Sequence, residues 1–213
     1  MTKGVTFGNV HSYDNLKLVL TSKELGSPAV KTNKVDIPGA DSALDLTDFF
    51  GEPKFEDVTH KFEFTTIEPQ SDFLTQYSSV KNAIHGKKVR IILDDDPTFF
   101  YWGRCFVSSF TDEKGIGTIS VECECEPYKY KVSKTVVTMT ITGTVDIVLT
   151  NSRKRAVPEI TTTTAMTFVF GGGSWAKAAG TFTIPELELT EGENYVTVTG
   201  VGNITFTWQE GEL

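Results

Sequence analysis

The clearest pattern along the chain is a strict alternation of apolar and polar side chains, which is typical of strands with one buried face. It runs from Val58 to Thr65 and again from Thr118 to Glu126. Weaker alternation covers Val5–Phe7, Leu16–Leu20 and Lys87–Leu93. A further strand pattern covers 99–110, and we expect a break or bulge in it at Gly103. The first part of the chain is therefore predicted to be mainly β-structure.

One segment has helical spacing instead. Its recurring apolar residues are Phe73, Tyr77, Val80 and Ile84. Ser71 is a favourable N-cap residue, and Gly86 suits the position that ends a helix with a positive φ. We predict a single helix over residues 71–85.

The stretch between Asp36 and Glu56 has turn chemistry rather than a regular period. Pro38-Gly39 predicts a type II turn, because Pro presets φ and Gly accepts the positive φ that follows. Leu44 and Leu46 predict a short, half-buried strand. Such a segment either covers its own domain or contacts a neighbouring subunit. The candidate subunit-interface residues are Pro38, Gly39, Phe49, Phe50 and Phe55.

Composition changes after Val132: Thr, Gly and Val dominate and no helical period appears. We predict an N-terminal domain over 1–133 and a C-terminal domain over 134–213. The second domain is expected to contain seven or eight short strands, with a hairpin around Gly143 and separate strands at Tyr195–Thr199 and Asn203–Trp208. This spacing favours a β-sandwich. The fold class is thus mainly β: an N-terminal β-sandwich with one helix, then a second β-sandwich.

The formal net charge is −8, which argues against a surface that binds nucleic acid phosphates. It suits a surface that DNA passes without binding. The odd count of three cysteines gives no disulfide framework and favours folding in a reducing cytoplasm. The N-terminus has no apolar core of the kind found in signal peptides, and no apolar run reaches the roughly 20 residues of a membrane span.

Candidate catalytic and metal chemistry is weak. Three histidines lie far apart in the sequence, and Cys123-x-Cys125 is shorter than a usual zinc knuckle. Asp94-Asp95-Asp96 lacks the spacing and the distal Glu of a calcium loop, so a solvated hairpin tip is favoured. No phosphate loop, dinucleotide fingerprint or nucleophile elbow is present. We expect neither enzyme activity nor a metal or cofactor.

Two features remain open. Trp175, Tyr195 and Trp208 could stack on a sugar, as in a carbohydrate-binding adhesin module. Trp175 is the best candidate because it follows the Gly171–Gly173 tip, whereas core packing is favoured for Trp208. Glu122, Glu124 and Glu126 are usually read as a solvated sheet face. In a ring-shaped assembly the same row could line the central opening, so these three are candidate lumen-facing residues.

Several motifs together resemble the distal tail proteins (Dit family) of phages with long, non-contractile tails. In the first domain they are GVTFGNVHSYDNLKLVL, DIPGADSALDLT, FFGEPKFEDVTHKFEF and CEPYKY, and near the C-terminus LTEGENYVTVTGVGNITFTWQ. The resemblance covers most of the chain. Each motif is short, and their shared order carries the likeness.

The resemblance implies a structural virion protein at the tail tip, assembled in the host bacterial cytoplasm. The N-terminal domain would form a homo-hexameric ring that joins the tail tube protein to the tip or baseplate and lets DNA pass. The C-terminal domain would be a galectin-like or carbohydrate-module-like β-sandwich. Further implied partners are the tail-associated lysin or tip protein and a receptor-binding protein. The alternative is an adhesin module that recognises host cell-surface sugars.

Overall fold

The computed structural model describes residues 4–49 and 51–213 of the chain. Its one α-helix is α1 (Phe73–Ile84), preceded by a 3-10 turn at Gln70–Asp72. The strands are β1 (Val5–Phe7), β2 (Val10–His11), β3 (Leu18–Leu25), β4 (Lys34–Val35), β5 (Leu44–Asp45), β6 (Val58–Thr66), β7 (Lys88–Leu93), β8 (Asp96–Glu113), β9 (Ile116–Lys131), β10 (Thr135–Asn151), β11 (Glu159–Thr162), β12 (Met166–Phe170), β13 (Gly173–Lys177), β14 (Gly180–Thr183), β15 (Gly192–Trp208) and β16 (Gly211–Glu212).

The chain forms two compact units, Met1–Pro127 with Leu213, and Tyr128–Glu212. The boundary expected at Ser133 lies in the bend between β9 and β10. The last residues of β9 pair with β16, so the end of that strand belongs with the second unit. In the described residues no helix has the length and apolar content needed to cross a membrane.

The first unit is built on an antiparallel sheet in the order β2-β1-β7-β8-β9-β6-β3. The sheet curls, because Phe7 on β1 reaches Phe62 and Phe64 on β6 although three strands separate β1 from β6. The ring centroids are 6.0 and 6.2 Å apart, in edge-to-face geometry. This closure produces the sandwich-like core that the alternating patterns predict.

Helix α1 packs on the same core through Val80 and Ile84. It begins two residues later than predicted, and Ser71 is not its N-cap. The chain after Pro69 first makes a 3-10 turn, and Asp72 then occupies the cap without a side-chain hydrogen bond. The predicted end is confirmed, since Gly86 follows the helix with φ 76°.

Gly103 neither breaks nor ends β8, which continues as a single strand. A Cβ at this position would lie 2.4 Å from Cys125 Sγ and 2.9 Å from the Glu124 carbonyl oxygen. The glycine therefore provides room for the neighbouring strand β9, and the sequence expectation of a break was wrong.

The second unit corrects another expectation. No hairpin forms at Gly143, and the two separate strands expected at 195–199 and 203–208 are one strand. β10 and β15 pair without interruption over 17 residues, from Thr135↔Trp208 to Asn151↔Gly192. Gly143, with φ 99°, lies opposite Gly200 within this ladder.

The glycines allow the long pair of strands to turn a corner. On one side of the corner β15 pairs with β11, which pairs with β14; on the other side β15 pairs with β12, which pairs with β13. Phe168 of β12 and Phe182 of β14 meet with ring centroids 5.8 Å apart, so the two halves face each other. The second unit is thus a β-sandwich made by one folded sheet.

Candidate assembly surfaces

The segment between β3 and β6, residues 26–57, is here called the arm. Its base is closed by an antiparallel bridge between Val30 and Phe55. Backbone hydrogen bonds flank the bridge, from Lys31 N to Lys54 O and from Glu56 N to Ala29 O, both 2.8 Å. Further out, β4 pairs with β5. The arm is therefore a long antiparallel extension of the chain between β3 and β6.

The predicted turn lies at the tip of the arm. Gly39 has φ 85°, and Ala40 N donates to Ile37 O at 3.1 Å, which closes the turn around Pro38. Both Pro38 and Gly39 are exposed. The short strand at Leu44 is present. Leu44 is exposed rather than half-buried, because no described residue of the arm packs over this small sheet to form a core.

The arm exposes apolar side chains along most of its length. They are Val30, Val35, Ile37, Leu44 and Phe49, with exposed fractions from 44% to 71%. No described arm residue belongs to the buried core of the first unit. Contiguous exposed apolar surface can mark an interaction site, and Val35 and Leu44 lie opposite each other in the β4–β5 pair.

The predicted interface residues fall at different places on this arm. Pro38 and Gly39 form its tip, Phe49 is the most exposed large apolar side chain among its described residues, and Phe55 is half-buried at its base. Phe50 lies outside the described residues. The pattern of turn and breaker residues located the arm. The exposure of Val30, Val35 and Ile37 was not foreseen, and no signal in the sequence distinguishes them from core residues.

The glutamate row lies on the outer face of β9. The residues that alternate with it, Val121, Cys123 and Cys125, are at most 1% exposed, so the carboxylates point away from the core. Glu124 is exposed, and Glu122 and Glu126 are half-buried. Lys88 Nζ lies 2.9 Å from Glu126 Oε1, and Lys61 lies opposite Glu122 in the ladder. The face is therefore acidic with cations on its flanks.

The buried side of this part of the sheet holds three thiols, Cys123 and Cys125 on β9 and Cys105 on β8, and His60 on the neighbouring strand β6. Cys105 and Cys123 have their sulfurs 3.2 Å apart. The contact with Cys105, reinforced by burial, raises the pKa of Cys123, and burial raises the pKa of Cys125 to about 12. Cys123 and Cys125 therefore stay protonated at neutral pH and behave as small apolar side chains.

His60 has neither ring nitrogen hydrogen-bonded, and its ring meets Tyr101 edge-on with centroids 4.4 Å apart. Burial lowers its pKa to about 4. Among residues 4–49 and 51–213, no group of three or more His, Cys, Asp or Glu side chains has the geometry of a metal site. The histidine is thus a neutral core residue.

Trp175 is not an open platform. Its ring stacks on Phe170, with centroids 4.0 Å apart and an angle of 9° between the ring planes. The edge of the ring fills the space that a Cβ atom at Gly173 would occupy. The ring is half-buried against the core of the second unit. The exposed aromatic of this unit is Tyr195, at 65%, whose hydroxyl donates to Glu193. The sequence placed Tyr195 among the candidate aromatic residues but favoured Trp175, because alternation alone could not assign Tyr195 to the outer face.

No protein-family model matches the chain, and no curated protein matches it in sequence. A solved structure does match: the crystal structure of SPP1 Dit (gp 19.1), described as a paradigm of the hub adsorption apparatus in phages that infect Gram-positive bacteria. The TM-score is 0.72 with 14% sequence identity, and the match covers 100% of both chains. The resemblance expected from the motifs is therefore confirmed as a shared fold: over its full length, the chain has the fold of a Dit protein.

Proposed function

We propose that this protein is a structural component of a phage tail tip, a distal tail hub that assembles as a homo-hexameric ring. The observation that carries the proposal is the match of the whole chain, both units included, to the fold of SPP1 Dit. The ring joins the tail tube protein to the tip or baseplate proteins, and DNA passes through its centre. The site of action is the virion, after assembly in the host cytoplasm.

The arm supports the ring. A cyclic assembly is heterologous, so each subunit needs one surface that reaches out and a different surface that receives it. The arm provides the first, since its apolar side chains find no core in their own unit. Burying a side chain such as Phe49 contributes on the order of 2 kcal/mol per subunit. Six such contacts closed into a ring reinforce one another.

The glutamate row supports the passage of DNA. Carboxylates at Glu122, Glu124 and Glu126 repel phosphates, so a lumen that carries them does not retain the DNA. The formal net charge of −8 acts in the same direction. No catalytic role is proposed for any residue.

The ring is tested by measuring the mass of the purified protein by light scattering and its symmetry by negative-stain imaging. We expect six-fold rings for the wild type and a large loss of assembly for Phe49→Asp. Leu74→Asp is the matched control, because Leu74 on α1 is equally exposed at 71% and lies outside the arm. A wild type that stays a single chain at high concentration contradicts the ring. Equal assembly of both variants contradicts the role of the arm.

A second candidate function is recognition of host surface sugars by the second unit. Tyr195 now favours it more than Trp175, because Tyr195 exposes its ring next to Val148 and the carboxylate of Glu193. The test is binding of fluorescent protein to host cell walls. Loss of binding in Tyr195→Ala with retention in Trp175→Phe supports this site, and absence of binding by the wild type removes the candidate.

A further inference from the structure

The second unit has sheet edges of two kinds. β13 has five residues and ends in Lys177, and β14 has four residues and is soon followed by Pro185. Short length, lysine and proline are the usual means of preventing a sheet edge from pairing with another chain. β10 has none of them: it is 17 residues long, contains neither Lys nor Pro, and has a single charged residue, Asp146.

β10 is hydrogen-bonded along one side only. All 17 of its residues pair with β15, and in the described part of the chain no second strand or bridge pairs with β10. In an antiparallel strand, every other residue directs its N–H and C=O away from a given partner. The outer side of β10 therefore presents a row of backbone donors and acceptors.

The side chains of β10 also indicate an incomplete layer. Three of its core-facing residues, Val137, Met139 and Val145, are only half-buried at the rim of the core, whereas Ile141, Ile147 and Leu149 are buried. The core-facing residues Ile204 and Phe206 of its neighbour β15 are fully buried. One more strand beside β10 would bury the rim residues as deeply as those of β15.

We propose that this edge binds the β10 strand of a second copy of the chain by antiparallel strand addition over residues 135–141. Gly143, with φ 99°, bends the strand and sets one limit of the paired segment. The segment TVVTMTI has no charged residue, so two copies meet without like-charge repulsion even though each chain is acidic overall.

The faces of the strand require the two-fold axis to pass through a residue, and Thr138 is the central residue of 135–141. A two-fold axis at Thr138 places Thr138 opposite itself, Val137 opposite Met139 of the second copy, and Val136 opposite Thr140 of the second copy. Each pair then lies on one face: the half-buried apolar residues bury one another, and the outer face stays apolar or hydroxylated. An axis between two residues would set apolar residues opposite outer ones, which the alternation forbids.

This contact is independent of the proposed ring. The ring is heterologous and uses the arm of the first unit, whereas the β10 contact is isologous and uses the second unit. It links subunits in pairs, so it doubles the mass of whatever species the arm contact produces.

A single cysteine on the axis provides the test. Directly opposite residues of an antiparallel pair have Cα atoms about 4.5–5.5 Å apart, within the range that a disulfide spans. We expect Thr138→Cys, exposed to oxidised glutathione, to run as a covalent dimer on a non-reducing gel. The matched control is Thr161→Cys: Thr161 lies on the same exposed row of threonines, but on β11, which has a strand on each side. The three native cysteines are buried and at most 1% exposed.

A second pair of variants tests the contact without covalent chemistry. Thr138→Lys places two ammonium groups opposite each other on the axis, and we expect the mass by light scattering to fall by half. Thr161→Lys should leave the mass unchanged. In a Phe49→Asp background the covalent dimer at residue 138 should still form, which separates this proposal from the ring. Equal cross-linking at both cysteine positions, no cross-linking at residue 138, or a mass insensitive to Thr138→Lys in a well-folded protein would overturn it.

Discussion

The arm and the strand that follows it, β6, differ in how deeply their phenylalanine side chains are buried. On β6, Phe62 and Phe64 are completely buried, and they meet Phe7 across the curled sheet. On the arm, Phe49 is 71% exposed. Both regions are rich in phenylalanine and lie next to each other in sequence. The difference teaches that the side chains of β6 are buried by their own chain, whereas Phe49 stays largely exposed; the proposed ring assigns the covering surface to a neighbouring subunit.

The strongest test of this contrast removes an aromatic from each region. Phe62→Ala should destabilise the monomer by about 3–5 kcal/mol, because the cavity lies in a closed core. Phe49→Ala should change monomer stability by no more than about 0.5 kcal/mol. Urea unfolding at a protein concentration below assembly measures both. A similar loss for the two variants would show that the arm is a lid on its own unit.

The next test uses the pH dependence of β6. The pKa of His60 is lowered from 6.5 to about 4 by burial, so the folded state disfavours the protonated ring. Above pH 6.5 the ring is neutral in both states and its full contribution to stability is present. As the pH falls from 6.5 towards 4 the unfolded state binds the proton first, and stability drops by up to about 1.4 kcal/mol per pH unit.

The control for His60 is His60→Phe, which keeps the ring shape and removes the titrating group. The ring nitrogens of His60 make no hydrogen bond, so this substitution leaves no partner unsatisfied. Urea unfolding at several pH values should give a shallower acid loss for His60→Phe than for the wild type. Parallel curves would show that His60 is hydrated in the folded protein.

The smallest expected effect is the difference in lost stability between alanine substitutions at two glycines, Gly103 and Gly39. Gly103→Ala should cost about 1–3 kcal/mol, because the added methyl meets the backbone of β9. Gly39→Ala should cost about 1 kcal/mol, since φ 85° is strained but nothing lies within 4 Å of the new Cβ. Thermal unfolding followed by circular dichroism shows which of the two variants loses more stability. The reverse order would mean that the arm tip is packed more tightly than the core sheet.

Much of the fold was predictable because it depends on local patterns. The alternation of β6 and β9, the helical spacing of α1 and the turn at Pro38-Gly39 are all present in the structure. The errors in the placement of strands occurred at glycines. Gly103 and Gly143 were expected to interrupt strands, and both instead lie inside long strands. A glycine that makes room for a neighbouring strand has the same local signature as one that ends a strand.

The candidate surfaces were predictable only in part. Turn and breaker residues located the arm, and alternation placed the three glutamates on one face of β9. Trp175 was expected to be available, and the structure stacks it on Phe170. Exposure depends on what another part of the chain brings against a side chain, and a single sequence does not contain that information.

By itself, then, the sequence determined the β-rich class, the position of the helix and the two faces of each strand, because periods of 2 and 3.6 residues are set by backbone geometry. Only the tertiary structure decided that the first sheet curls until Phe7 meets Phe62, and that the second folds at Gly143 and Gly200. It also decided that Phe62 is buried and Phe49 exposed, and that β10 is left with one side unpaired. These outcomes depend on contacts between residues far apart in the chain, whose closure no local pattern encodes.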